Sequence, residues 1–269
     1  MKNYPHIISK ICEEPWLITP EKHRAIQRLL DSRLNHGMPD MPDEEEAEDP
    51  ESEPMQEGNA VVIPIFGIIG KRLSYFEKHF FGGYDLEDLS EALDVAEDTD
   101  SISEIILHFD SPGGLITGIS EMAERIAGIQ KKVTSFTDTC MCSAAYYLAA
   151  GSDQIICTHS SRVGSIGTYA LYMDYSQQLA VEGIKVNAIS SGKNKLLGAW
   201  FKPMTPEEQA ILQAQCDKLN DAFKLHVRTF RDGIVEDSME GLCYDGRDSV
   251  MNGLVDSLVN DADEVLPMR

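Results

Sequence analysis

A chain of 269 residues, 42% of them hydrophobic, is long enough to bury a sizeable core as one large domain or two small ones. Its formal net charge of −22 speaks against nucleic acid or an anionic membrane surface as a partner, because phosphate binding needs a basic footprint. Ten of those negative charges fall within residues 40–57, which hold no Lys or Arg, so the remainder is only moderately acidic.

Residues 1–20 include Glu13, Glu14 and Pro15 and hold no apolar core of signal-peptide length. The longest apolar run, residues 60–70, is far short of the ~18 residues that span a bilayer, so a soluble protein of the cytosol, without a membrane anchor, is expected. Thr19-Pro20-Glu21 reads as a helix cap with proline at the first helical position, and Ile26, Leu29, Leu30 and Leu34 follow at helical spacing. This predicts a helical arm over residues 1–36. Residues 37–58 are rich in proline and acid with little to bury, which predicts a disordered linker.

From residue 59 to 269 the pattern becomes that of one α/β domain. Strands are expected at 60–69, 104–109, 133–137, 154–158 and 186–189, several of them continuous apolar runs of the kind buried on both faces. Helices are expected from the periodic sets Leu86, Leu89, Leu93, Ala96 and Ile119, Met122, Ala123, Ile126. Thr205-Pro206-Glu207-Glu208 is a capping box opening a long helix to about Phe230, with Ile211, Leu219, Phe223 and Val227 on one face. The six cysteines, Cys12, Cys140, Cys142, Cys157, Cys216 and Cys243, have neither zinc spacing nor the density of a disulfide scaffold, and are expected to be plain thiols. No metal or cofactor is expected.

Two stretches carry chemistry. Asp110-Ser111-Pro112-Gly113-Gly114 follows a predicted strand, and its two glycines leave backbone N–H groups free to point into a cleft, as an oxyanion hole requires. Ser143 opens the alanine-rich run Ser143-Ala144-Ala145-Tyr146-Tyr147-Leu148-Ala149-Ala150, so its hydroxyl is expected at a helix N-terminus, where N–H groups stabilise negative charge. Taken singly, the first is an ordinary strand-to-helix turn and the second an ordinary helix cap.

Together with Arg162-Val163-Gly164-Ser165-Ile166-Gly167-Thr168, Ser191-Gly192-Lys193-Asn194-Lys195 and Asn252-Gly253-Leu254-Val255-Asp256, these segments resemble, in order and spacing, the signal peptide peptidase A family of the Clp protease and crotonase superfamily. The resemblance covers residues 60 to about 265. It implies a Clp/crotonase-type α/β domain with Ser143 as nucleophile, Lys195 as general base, Ser165 holding the lysine amine, and the N–H groups of Gly114 and Ala144 forming the oxyanion hole. It also implies a protein or peptide substrate and a homo-oligomeric ring in which the Ser–Lys pair forms within or between protomers. A lysine amine takes a proton from serine only when neutral, which requires a site closed to water, and Leu196, Leu197 and Trp200 are the candidate lining.

The leading segment Pro15-Trp16-Leu17-Ile18-Thr19-Pro20-Glu21 is similar to the start of the head maturation proteases of tailed phages, which implies capsid or scaffold processing in the host cytoplasm or the prohead. Such enzymes are often fused to a C-terminal scaffolding region; with Arg269 as the last residue here, a separate scaffold protein is expected. Four alternatives stand beside this. A Clp-type base would be a histidine, and His159 is the one near enough in sequence; Lys193, two residues from Lys195, takes the base's role if the two are reversed; and a crotonase-like acyl-CoA enzyme or a non-catalytic structural subunit uses the same fold without an activated serine.

Overall fold

The computed structural model describes residues 15–26, 28, 53–75, 77–78 and 82–266. Its centre is a six-stranded sheet. Strands β3 (Ala60–Phe66), β6 (Glu104–Asp110), β8 (Lys132–Thr137), β10 (Gln154–Thr158) and β13 (Ser257–Val259) run parallel in that spatial order, and β2 (Met55–Glu57) closes the β3 edge antiparallel. Ile105, Ile106, Leu107 and Phe109 of β6 are all buried, as expected of a strand covered on both faces. Pro64 in β3 lies beyond Val62, the last residue paired with β2, where that side of the strand has no neighbour needing an N–H.

Helices cross between the strands. Helix α1 (Leu86–Asp98) is capped by the Asp85 carboxylate, which accepts the amides of Glu87, Arg72 and Leu73, and it buries Leu86, Leu89, Leu93 and Ala96. Helix α2 (Ile119–Ala127) buries Ile119, Met122, Ala123 and Ile126. Helix α3 (Ala144–Ala149) is buried at every residue. Short α4 (Ser176–Val181) buries none. Helix α5 (Pro206–Phe230) starts at the Thr205 capping box, and α6 (Gly246–Met251) precedes the last strand. Among the described residues no helix is long and apolar enough to cross a membrane.

Two small sheets sit at the end of the central sheet and position the site. One has the order β1 (Trp16–Ile18), β7 (Gly113–Leu115), β4 (Ile68–Gly70), β5 (Gly83–Asp85); the other joins β9 (Cys140–Cys142), β11 (Arg162–Gly164) and β12 (Cys243–Tyr244), with β11 in the middle. The strand expected over 60–69 is therefore two, broken at Gly67. That residue adopts φ 89°, and a Cβ there would lie 1.8 Å from the Gly82 carbonyl oxygen, so the chain turns from one sheet into the other at a point only glycine allows.

Other departures have equally local causes. Residues 186–189 form no strand: Ile189 is fully exposed and Val186 is 39% exposed, because no neighbouring edge pairs with them. On α5 the buried residues are Leu212, Phe223, His226 and Val227, while Ile211 and Leu219 are only partly covered. Residues 55–57, expected in the linker, pair with β3, and residues 16–18, expected in a separate arm, pair with β7; residues 20–26 are helical as anticipated. Leu29, Leu30, Leu34 and residues 37–52 of the expected arm and linker, like Cys12, lie outside the described residues.

Candidate active site

β9 delivers Ser143 to the end of the core and α3 begins immediately after it. The serine is 1% exposed and sits at φ 56°, ψ −114°, a left-handed conformation that β-carbon-bearing residues adopt only under constraint. The constraint is visible: the Ser143 N–H donates to the Gly164 carbonyl at 2.7 Å, and its own carbonyl accepts the Tyr147 amide at 2.9 Å. Its Oγ is buried and has no hydrogen-bond partner. A buried hydroxyl without a partner costs roughly 1–3 kcal/mol, a cost that stable proteins tolerate mainly where the group has work to do.

The glycine turn lies against this serine. Gly113 has φ 104°, and a Cβ on it would meet the Ser143 Cβ at 2.9 Å and the Ala144 nitrogen at 3.0 Å. Gly114, one residue on, packs against the backbone of Ile69, where a Cβ would lie 1.8 Å from the carbonyl oxygen. The Ala144 N–H opens α3 and belongs to the first turn, whose amides have no intrahelical acceptor. So Gly113, Ser143 and Ala144 converge on one spot, with Gly114 the next residue along the same strand.

Ser111 ties the two halves together, a role the sequence did not announce. Its N–H donates to the Cys140 carbonyl (2.8 Å) and its carbonyl accepts the Cys142 amide (3.1 Å), while its Oγ donates to the Gly67 carbonyl (2.6 Å) and accepts the Gly113 amide (3.2 Å). Fully buried, this one side chain fixes the glycine turn relative to the nucleophile strand.

Ser165 follows Gly164 at φ 53°, is 4% exposed, and donates its N–H to the Leu242 carbonyl at 2.7 Å. Its hydroxyl is the smallest of the influences that lower the Cys243 thiol. Gly164 pairs with both Cys142 and Cys243, whose sulfurs lie 3.4 Å apart. The hydrogen bond from Cys142, reinforced by the Arg162 guanidinium and Ser165, holds the Cys243 thiol down at about 6 against the effect of burial, whereas Cys142 is pushed up by its two thiol neighbours and burial.

Lys195 is elsewhere in character. It is exposed, in a run of turns where its N–H donates to the Gly192 carbonyl at 3.2 Å, and neither its amine nor that of Lys193 is among the partners found for Ser143 or Ser165. Leu196 and Leu197 are half-buried and Trp200 is 48% exposed, so one chain alone does not close a dry pocket over Lys195. His159 lies in an exposed turn after β10, its carbonyl accepting the Gly246 amide. Among the described residues no cluster of three His, Cys, Asp or Glu could hold a metal.

A cavity of about 270 Å³ borders Ser165, lined among others by Ile18, Thr168, Asn220 and Met239. The Thr168 Oγ1 and the Asn220 Oδ1 are both buried without a hydrogen-bond partner. The cavity is lined by polar and apolar groups alike, two of its polar atoms left to satisfy.

Residues 126–269 match the model of peptidase family S49. Over its whole length the chain is 25% identical to Capsid assembly protease C of Escherichia phage lambda, covering 66% of that protein. It is 26% identical over 99% of its length to Head-tail preconnector protein GP5 of Enterobacteria phage P21, covering 57% of that protein. A Putative signal peptide peptidase SppA of Enterococcus faecium is 31% identical over 65% of the chain, which covers 53% of it. The chain thus spans less than two thirds of the length of each of these relatives.

Proposed function

Because the chain belongs to peptidase family S49, we propose that it is a serine endopeptidase in which Ser143 is the nucleophile and Lys195 the general base. The observation that carries this is the Ser143 Oγ itself, buried, unpartnered and held in a left-handed conformation beside Gly113. In the reaction that follows, the Ser143 Oγ attacks the scissile carbonyl while the Lys195 amine takes its proton and later returns it to the leaving amine. The N–H groups of Gly114 and Ala144 receive the tetrahedral oxyanion, and water releases the acyl group by the reverse proton path. Ser165 positions the amine once Lys195 enters the site. Neither metal nor cofactor is needed.

In this scheme Lys195 reaches a serine from a neighbouring copy, in a homo-oligomer where Ser143 of one protomer meets Lys195 of the next. The distribution of apolar surface supports it: of the sixteen large hydrophobic residues exposed among the described residues, eight lie between Leu171 and Trp200, on the segment that carries the lysine. Covering that surface would also supply the closed environment a neutral lysine needs. We assign the peptidase domain to residues 59–269 together with residues 16–18 and 55–57, whose strands complete its sheets against β7 and β3.

Similarity to a capsid assembly protease and a head-tail preconnector protein supports phage capsid or scaffold proteins as substrates, cut in the host cytoplasm or inside the prohead. Similarity to a signal peptide peptidase supports a cellular protease as the second reading. Reaction with a fluorophosphonate probe tests the nucleophile that both readings share: Ser143 is expected to carry the label, and a chain that hydrolyses peptides while the label misses Ser143 removes it from the mechanism.

A further inference from the structure

Trp16, Leu17 and Ile18 are 3%, 0% and 2% exposed, and they form a strand with backbone partners on both sides. On one side β1 runs antiparallel to β7, with Leu17 opposite Gly114 and Ile18 opposite Gly113. On the other, the Trp16 N–H donates to the Tyr169 carbonyl at 2.9 Å and the Tyr169 N–H donates back at 3.3 Å. The two edges that grip β1 are thus the glycine turn of the oxyanion hole and the continuation of the Ser165 turn.

The register is specific about which atom points where. Thr19 donates its N–H to the Pro112 carbonyl at 3.0 Å, and with Ile18 opposite Gly113 the antiparallel alternation sets the Leu17 carbonyl against the Gly114 N–H. A Cβ on Gly113 would lie 2.1 Å from that Leu17 oxygen and 2.9 Å from the Ser143 Cβ, so the two are at most about 5 Å apart. A main-chain carbonyl of the chain itself therefore lies beside the nucleophile, on an amide assigned to the oxyanion.

We propose that β1 is a built-in occupant of the peptidase groove, standing where an extended substrate strand pairs with β7 and Tyr169, and that it must leave before a substrate enters. This rests on Ser143 being the nucleophile. Extended peptides bind exposed sheet edges by main-chain pairing, with side-chain pockets setting preference. The occupant accordingly describes the substrate: an unfolded stretch with large apolar side chains at three successive positions, the third, in the place of Ile18, bordering the cavity with Thr168 and Asn220.

The test uses the full chain carrying Leu17→Asp and Ile18→Asp, which place charges where the strand is buried and so release it. The rate of fluorophosphonate labelling at Ser143 and hydrolysis of fluorescently labelled casein are both expected to rise by roughly tenfold, as for a groove open about one tenth of the time in the unaltered chain. A synthetic peptide of residues 15–21 is expected to reverse the gain competitively. Equal or slower labelling, with the far-ultraviolet spectrum and melting transition retained, overturns the occupancy. Absence of labelling at Ser143 in altered and unaltered chains alike overturns the nucleophile assignment, and the occupancy with it.

If the double variant fails to fold, Trp16→Cys with Leu115→Cys, a directly opposed pair, locks the strand instead. Labelling and hydrolysis are expected to cease on oxidation and return on reduction, with the unaltered chain treated in parallel because Cys142 and Cys243 lie close by. Full activity in the cross-linked chain overturns the proposal.

Discussion

Residues 104–166 and residues 171–200 carry the two halves of the proposed chemistry, and they are built in opposite ways. Ser143 stands at the end of a parallel sheet, with backbone bonds to Gly164 and Tyr147 and a fully buried helix behind it. Lys195 hangs from a turn closed by one backbone bond to Gly192, in a segment where α4 buries nothing and Ile189 is wholly exposed. Strain at Ser143 and Ser165 persists because their surroundings over-determine it. A base on a surface segment has no such frame, and acquires its environment only from whatever covers the segment.

The largest expected effect bears on both halves at once. Ser143→Ala and Lys195→Ala are each expected to lower kcat/KM by about 10³-fold or more while leaving the melting temperature nearly unchanged. Peptide hydrolysis and thermal unfolding of purified variants check this. Retained activity in Lys195→Ala, lost in His159→Ala, would move the base to the histidine and dissolve the contrast.

Next in size is the packing difference itself. Phe223 is fully buried and stacks on Tyr147 of α3 with ring centroids 4.5 Å apart, so Phe223→Ala is expected to cost about 3–5 kcal/mol in urea unfolding. Ile189→Ala, at a fully exposed position, is expected to change folding stability by no more than about 0.5 kcal/mol, yet to weaken self-association measured by sedimentation. Equal costs at the two sites would show that residues 171–200 are as firmly packed as the sheet.

The same division explains what was legible in the sequence. Helix periodicity identified all the buried residues of α1 and α2, since both helices press one face on the sheet. It failed on the first half of α5, where Leu212 rather than Ile211 is covered, because most of that half meets little of its own chain. Val186 and Ile189 have strand-forming side chains but no edge to pair with, so composition promised a burial that one chain does not supply. Ser143 stood out only in company: alone, a serine leading an apolar alanine-rich helix reads as a cap, and it was the order and spacing of the segments around it that singled it out. Three residues, Trp16 to Ile18, were too few to signal a strand, and nothing in a sequence says that Gly113 lies against Ser143.

A smaller effect is expected from acid, and it falls on the contact between α5 and the helix behind the nucleophile. His226 is buried on α5 against Tyr147, with ring centroids 4.7 Å apart, and burial lowers it to about 4. Its pKa in the folded chain is therefore below its unfolded value near 6.5, so its contribution to stability is complete above about 6.5 and is lost as pH falls toward 4. Urea unfolding at pH 7 and pH 5 should differ by on the order of 1 kcal/mol more in the unaltered chain than in His226→Phe. An identical pH dependence in the two would mean that the ring carries its proton at little cost and that α5 is not bound to α3 through it.

The smallest effect is the most discriminating, because it asks whether the two halves belong to one chain. Chains bearing Ser143→Ala and chains bearing Lys195→Ala are each expected to be inactive alone. Mixed at random in one oligomer, they bring an intact serine from one protomer against an intact lysine from the next at about a quarter of the interfaces, since each partner is the right one half of the time. Activity is then expected at roughly one quarter of the unaltered level, a deficit of about 0.8 kcal/mol in apparent barrier. Co-expression with two different affinity tags, sequential purification and peptide hydrolysis measure it. A purified mixed oligomer with no activity would mean that Lys195 folds back over the Ser143 of its own chain. The exposed segment from 171 to 200 would then close within one protomer.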